Sequence, residues 1–174
     1  MTKPTDKELM MEATKGNLDT LAVLFERHHK HVFNFLYKMS GDRMLSEDLT
    51  QDVFYKLMKY RTSYNNGNFT SWLFTIARNR LNTHYTRNKE NHADLEQQAY
   101  KLMSKEEDKT ETYSHLHKAL NLLDSSDREL LVLNKLQGIK YNELAEIMDS
   151  SPGALKTKAS RALNKLKTIY FETI

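Results

Sequence analysis

Between Ser46 and Arg87 apolar and polar side chains recur with the repeat of an α-helix. Leu49, Val53 and Leu57 return every fourth residue, with Phe54 at the edge of their stripe. Asp48, Gln51, Asp52 and Tyr55 stand at i, i+3, i+4 and i+7 and so share a second face, polar and mostly acidic. Residues 61–68 (RTSYNNGN) carry no apolar period and read as a turn-rich loop. Beyond them Trp72, Leu73, Ile76 and Ala77 form an inward set, while Arg78, Asn79, Asn82 and Thr86 share a basic, amide-bearing face. A strand, with its period of two, fits neither pattern. An acidic helix face followed by a basic one in a small chain points to two different macromolecular partners.

The rest of the chain extends the helical pattern. Five glycines and two prolines in 174 residues, with heavy use of Leu, Lys, Glu and Asn, favour an all-helical fold over a sheet. Thr5 and Glu8 make a capping box for a first short helix that Gly16 ends. A second helix is predicted from about Leu18 to Met39, burying Leu21, Leu24, Phe25, Val32, Phe35, Leu36 and Met39, with Gly41 and Asp42 as its stop. Ser46 can cap the third helix, with Glu47 and Asp48 in the first turn where the dipole favours acids. Thr70 or Ser71 opens the fourth, which runs to about Lys89.

The segment from about Asn91 to Thr112 is charged, poor in large apolar residues and reads as a linker. It is followed by an apolar set at Leu116, Ala119, Leu120 and Leu123, then by a second capping box, Ser126 with Glu129. That box opens a helix through Leu130, Leu131, Leu133 and Leu136 to Gly138. Tyr141 to Met148 is a short helix, and Asp149 and Ser150 make a turn. Ser151 can cap a longer helix whose first position is Pro152, where a missing N–H costs nothing. The long helix packs through Leu155, Ala159, Ala162, Leu163 and Leu166. Short helix, tight turn and longer basic helix make the helix-turn-helix pattern.

The net charge of +3 is modest, but its distribution is not even. From Pro152 to Lys167 there are Lys156, Lys158, Arg161, Lys165 and Lys167 and no acid, whereas Asp94 to Glu111 is rich in acids. A basic end and an acidic connector suit a polyanion binder whose linker stays off the polyanion. Lys156, Thr157, Ser160 and Arg161 lie near the start of the last helix, opposite its apolar stripe, with Lys158 among them in sequence. That part of a helix-turn-helix enters the major groove, where Arg and Lys reach guanine edges. The loop residues Tyr64, Asn65, Asn66 and Asn68, beside Arg78, Asn79 and Asn82, offer rings and amides to unstacked bases.

Several chemistries are set aside. The chain has no cysteine, which excludes disulfides, thiolate catalysis and cysteine-ligated zinc. No apolar run approaches the roughly 18 residues of a membrane span, and the N-terminus lacks a signal-peptide core. A cytoplasmic protein with no membrane insertion of its own is expected. His28, His29 and His31 spread around a helix instead of lining one face, and Asp48 with Asp52 lacks a histidine to complete a site. No enzyme, metal or cofactor is expected.

With both halves laid out, the chain resembles the extracytoplasmic-function sigma factors, the smallest class of bacterial transcription initiation factors. The resemblance rests on SEDLTQDVF followed by FTSWLFTIARNR, and on LDSSDRELLVLNKLQGIKYNELAEIMDSSPGALKTKASRALNKL. It implies two small helical domains: a region 2 domain over residues 1–92 and a region 4 helix-turn-helix domain over 113–174, joined by a linker at 93–112. It implies that Asp48, Gln51 and Asp52, with Tyr55 on the same face, dock on the clamp helices of the polymerase beta-prime subunit. Arg78, Asn79 and Asn82 would contact the −10 promoter element, and Tyr64 to Asn68 would hold a flipped base of the melted strand. Lys156, Thr157, Lys158, Ser160 and Arg161 would read the −35 element, with their domain on the beta-subunit flap. Core RNA polymerase, promoter DNA and an anti-sigma factor are the implied partners. Thr83 and Ala154 depart from the family pattern, which often has Asp and a hydroxyl residue there. The rival reading is a one-component helix-turn-helix regulator with a ligand-sensing or dimerising N-terminal domain; a third is a helical adaptor without DNA contacts.

Overall fold

The computed structural model describes residues 2–91 and 111–173. Among these the chain is all-α. In chain order the helices are α1 (Asp6–Thr14), α2 (Asp19–Ser40), α3 (Arg43–Lys59) and α4 (Phe69–Asn91), then α5 (Glu111–Leu122), α6 (Ser125–Leu131), α7 (Tyr141–Met148) and α8 (Pro152–Thr173). A 3₁₀ turn (Arg61–Ser63) precedes α4, and a π-helical turn (Val132–Leu136) continues α6. Two compact units result. One is built from the chain up to Leu36 and from Met44 through α4; the other combines α5 to α8 with Tyr37–Arg43. The linker reading falls mostly outside the described residues, although α5 already begins at Glu111.

In the first unit the predicted caps hold at the N-terminus. Thr5 Oγ1 accepts from the Glu8 amide at 3.1 Å, and the Glu8 carboxylate accepts from the Thr5 amide at 2.8 Å. Met10 and Ala13 of α1 are buried against the rest of the unit. Leu24, Val32, Phe35 and Leu36 of α2 meet Leu49, Val53 and Leu57 of α3 and Leu73, Phe74, Ala77 and Leu81 of α4 in one core. Phe35 and Phe74 sit edge to face at 5.8 Å, an arrangement the ring quadrupoles favour.

Three expectations change here. Phe25 is 37% exposed; its ring stacks on His29 at 4.7 Å and meets the edge of Phe54 at 5.0 Å. It lies at the rim of the apolar stripe, where a flat side chain covers neighbours instead of filling the core. Ser46 is not a cap. The helix starts a turn earlier, at Arg43, and Ser46 is buried with its carbonyl accepting from Thr50 Oγ1 at 2.6 Å. In α4, Trp72 and Ile76 are only half-buried, while Phe74 and Leu81 complete the inner face.

In the second unit Leu120, Leu123, Leu131 and Ala162 form a core cluster, onto which Leu116, Leu163, Leu166 and Ile169 pack. Asp124, not Ser126, caps α6, accepting from the Asp127 amide at 2.8 Å. That bond holds the Asp124 carboxyl below the usual carboxylate range, helped by Lys165 and Lys158 and opposed by a smaller desolvation effect. Glu129 is buried, and the cap lies two residues before the expected Ser126–Glu129 box. Leu136 is 43% exposed because α6 passes into the π turn, with the Gln137 amide bonding the Val132 carbonyl at 2.9 Å. One wider turn rotates every following side chain and moves Leu136 off the buried stripe. The chain then reverses at Gly138, whose φ of +71° suits a residue without Cβ.

Candidate functional surfaces

On α3, Leu49 and Val53 are buried while Asp48, Gln51 and Tyr55 are exposed, Tyr55 by 54% of its surface. The helix therefore shows solvent an acidic, amide and phenolic face of the kind predicted. Asp52 is different. Its Oδ2 accepts from Arg80 Nε of α4, with about a quarter of the Arg80 side chain and under a third of the Asp52 side chain exposed. Asp52 thus ties the acidic helix to the basic one and serves the fold as well as the surface. Arg80→Gln is expected to lower stability by about 1 kcal/mol or less, the range for partly solvated ion pairs. Urea unfolding followed by circular dichroism measures it. No loss at all would mean that the pair is solvated away.

The loop before α4 separates into a buried floor and an exposed rim. Tyr64 is 6% exposed, and its hydroxyl donates to the Gly67 carbonyl at 2.5 Å. Its ring lies 5.3 Å from Trp72 and 6.5 Å from Phe69. Burial, and after it the nearby Asp6 carboxylate, push the Tyr64 hydroxyl above its ordinary pKa, so it remains a neutral donor. Asn65, Asn66 and Gly67 are exposed above it, Asn66 with a left-handed φ of +69°. Asn68 is exposed as a residue, but its Oδ1 accepts from the Ser71 amide at 2.8 Å and caps α4. Along α4, Asn79 and Asn82 are exposed and Arg78 is half-buried.

In the second unit, α7 ends at Asp149, whose φ of +49° and ψ of +57° place it in the left-handed region. Asp tolerates that conformation better than most side chains, and it lets the chain reverse within a few residues. Ser151 Oγ then accepts from the Ala154 amide at 3.2 Å, with Pro152 opening α8 as its sequence position predicts. Leu155, Ala159 and Ala162 are buried, which leaves Lys156, Thr157, Ser160 and Arg161 exposed on the far side of the helix. Thr157 Oγ1 bonds back to the Gly153 carbonyl at 3.2 Å. Lys158 is half-buried and its Nζ reaches Ser126 Oγ, while Lys165 Nζ lies 3.3 Å from Asp127 Oδ2. Both lysines therefore face the start of α6, on the flank of α8 beside Arg161.

Arg128 is a residue that sequence reasoning passed over. Its guanidinium donates to the carbonyls of Leu120 at 3.0 Å, and of Asn121 and Leu123 at 3.2 Å. It closes the end of α5, where helix carbonyls lack intrahelical donors. Nothing local marks it, because its acceptors lie at the end of the preceding helix and, through the Met39 carbonyl at 3.2 Å, far back in the chain.

Among the described residues, no group of three or more His, Asp and Glu side chains could hold a metal ion. His28 bonds Asp6 and His29 stacks on Phe25. Among the same residues no helix is long and apolar enough to cross a membrane.

The sigma-70 region 2 family matches residues 24–108, and the sigma-70 region 4 family matches residues 114–166. The chain is similar to the RNA polymerase sigma factor CarQ of Myxococcus xanthus, 33% identical over 161 residues that cover 90% of this chain and 92% of that protein. It is also similar to the ECF RNA polymerase sigma factor BldN of Streptomyces coelicolor, 29% identical over 170 residues, 91% of this chain and 63% of that longer protein. In fold it resembles the sigma factor RpoE of Bartonella quintana, solved in complex with the anti-sigma factor NepR. The TM-score is 0.68 at 24% identity, covering 85% of this chain and 94% of that one.

Proposed function

Because the chain belongs to the extracytoplasmic-function sigma factors of bacterial RNA polymerase, we propose residue roles for its three exposed faces. The acidic face of α3, through Asp48, Gln51 and Tyr55 with Asp52 at its edge, docks on core RNA polymerase at the beta-prime clamp helices. The outer face of α4, through Arg78, Asn79 and Asn82, lies along the −10 element. The rim residues Asn65 and Asn66 hold a base of the separated strand, with Tyr64 as their floor and Asn68 as the cap beneath them. Lys156, Thr157, Ser160 and Arg161 of α8 read the −35 element. Lys158 serves that face from its flank by setting α8 against α6. The helical unit around them rests on the beta-subunit flap.

Phosphodiester chemistry belongs to the polymerase; this chain supplies promoter choice and strand opening. The functional division is region 2 over residues 1–92, a linker at 93–112, and region 4 over 113–174. Each small unit has few contacts with which to bind DNA. Tethering both to polymerase raises their effective concentration at the two promoter elements. An anti-sigma factor that covers these faces is the regulator expected by analogy with RpoE and NepR.

The observation that carries this reading is the sorting of side chains on α3 and α8. Each helix turns its apolar stripe inward, burying Leu49, Val53 and Leu57 on α3 and Leu155, Ala159 and Ala162 on α8, and leaves a coherent charged face, acidic on one and cationic on the other. A one-component regulator has no use for the acidic face, and family membership removes that rival. The test is a pull-down against core polymerase lacking other sigma factors, followed by run-off transcription on random-promoter templates. Stoichiometric binding with a defined −10 and −35 preference supports the reading. Duplex DNA binding without any polymerase complex overturns it.

A further inference from the structure

Helix α1 has no part in the roles assigned above, yet it is built into the floor of the loop that precedes α4. It packs on the 3₁₀ turn Arg61–Ser63 and on α4. Asp6, at its first position, is its polar anchor. Asp6 Oδ1 accepts from Arg27 Nη1 at 3.1 Å, and Oδ2 shares a hydrogen bond with His28 Nε2 at 2.8 Å. All three side chains are 70% or more shielded from solvent, so the bonds are less screened than surface pairs.

From His28 the contacts run on without a gap. Its ring is 5.3 Å from Phe69, which is 6.5 Å from Tyr64 and from Trp72. Tyr64 in turn holds the Gly67 carbonyl of the rim. The Asp6 carboxylate is also close enough to Tyr64 to influence its hydroxyl.

This loop needs holding, because it carries two local costs. Asn66 is left-handed, and Arg61 Nε is buried without a hydrogen-bond acceptor, although Arg61 Nη1 does reach the Met58 carbonyl at 2.9 Å. Such features persist only where the surroundings over-determine them. Here the surroundings are α1 and the aromatic floor.

We propose that Asp6 is a positioning residue for promoter melting: by fastening α1 to Arg27 and His28 it sets the Phe69–Tyr64 floor, and with it the shape in which Asn65 and Asn66 meet a separated DNA base. The proposal rests on the reading of this loop as the base-holding one. It gives α1 a role in base discrimination that its distance in sequence from the loop conceals.

The experiment uses the full chain bound to core polymerase and forked promoter DNA with a single-stranded −10 segment in four versions, one for each base at the held position. Asp6→Ala, Asp6→Asn and the loop variant Asn65→Ala/Asn66→Ala are compared with wild type. The readouts are core affinity, thermal midpoint and the ratio of preferred to non-preferred DNA. Asp6→Ala is expected to lower that ratio by roughly three- to tenfold, as loss of preorganisation does, with core affinity unchanged. Asp6→Asn, which can still accept from Arg27, falls between. A merely structural role would lower the midpoint and weaken all four DNAs alike, leaving the ratio intact, and that result overturns the proposal. If Asp6→Ala does not fold, His28→Gln carries the same prediction. An unchanged ratio in the Asp6 variants beside a changed ratio in the loop variant sinks the role of α1 and leaves the loop reading standing. An unchanged ratio in the loop variant removes both.

Discussion

Asp48→Arg is expected to weaken binding to core RNA polymerase by roughly 10- to 100-fold, since a like charge or an unpaired one at a docking face costs several kcal/mol. The fold should be untouched. Asp48 is exposed, lies in the second turn of α3, and has the buried Leu49 and Val53 on the opposite side. Surface substitutions of this kind usually move stability by no more than about 0.5 kcal/mol. The structure also shows why the reversal should be made at Asp48 and not at Asp52. Asp52→Arg would set a second cation beside Arg80 and break the α3–α4 ion pair, so a loss of polymerase binding could come from a distorted α4. Fluorescence anisotropy with labelled protein and core enzyme gives the affinity, and a thermal melt gives the fold. Unchanged affinity in Asp48→Arg would remove the acidic face from the docking role.

Arg161→Ala should cost promoter binding about 1–3 kcal/mol and relax the preference at one −35 position, the effect of losing a base-edge contact. Lys156→Ala, if that lysine meets a phosphate, should weaken all sequences alike and reduce the salt slope by about one unit. Both side chains are exposed on α8 opposite Leu155, Ala159 and Ala162, so neither change removes core packing. Lys158→Ala is the informative comparison. Its side chain turns to Ser126 on α6, so its loss should act through the seating of α8 and show little sequence dependence. Competition binding by the polymerase complex, with −35 variants at two salt concentrations, separates the three. Equal, sequence-independent losses at Lys156 and Arg161 would reduce the whole face to a phosphate contact.

These two results divide along the same line as the reading of the sequence itself. The acidic face of α3 and the cationic start of α8 were legible because a helix repeats every 3.6 residues, so spacing alone tells which side chains share a side. The Thr5–Glu8 box, the Ser151–Pro152 start and the glycine stops were legible for the same reason: each is satisfied within a few residues. The order of the two motif-bearing halves was enough to suggest the family. Expectations slipped by two residues where several polar residues competed for one cap, as at Asp124 and Ser126, and slipped again where a π turn altered the repeat before Leu136.

What local spacing could not decide is which polar group is already engaged by a distant one. Asp52 looked equivalent to Asp48 until Arg80, 28 residues further on, came to lie beside it. Tyr64 looked like a ring offered to a base, but Trp72 and Phe69 close over it and make it a floor. Asp6, Arg27 and His28 had no evident purpose apart from one another. The sequence by itself determined the helices, their faces and the family. The tertiary structure alone decided which residues on those faces are free to meet a partner, because pairing across helices depends on distances in space that no periodicity records.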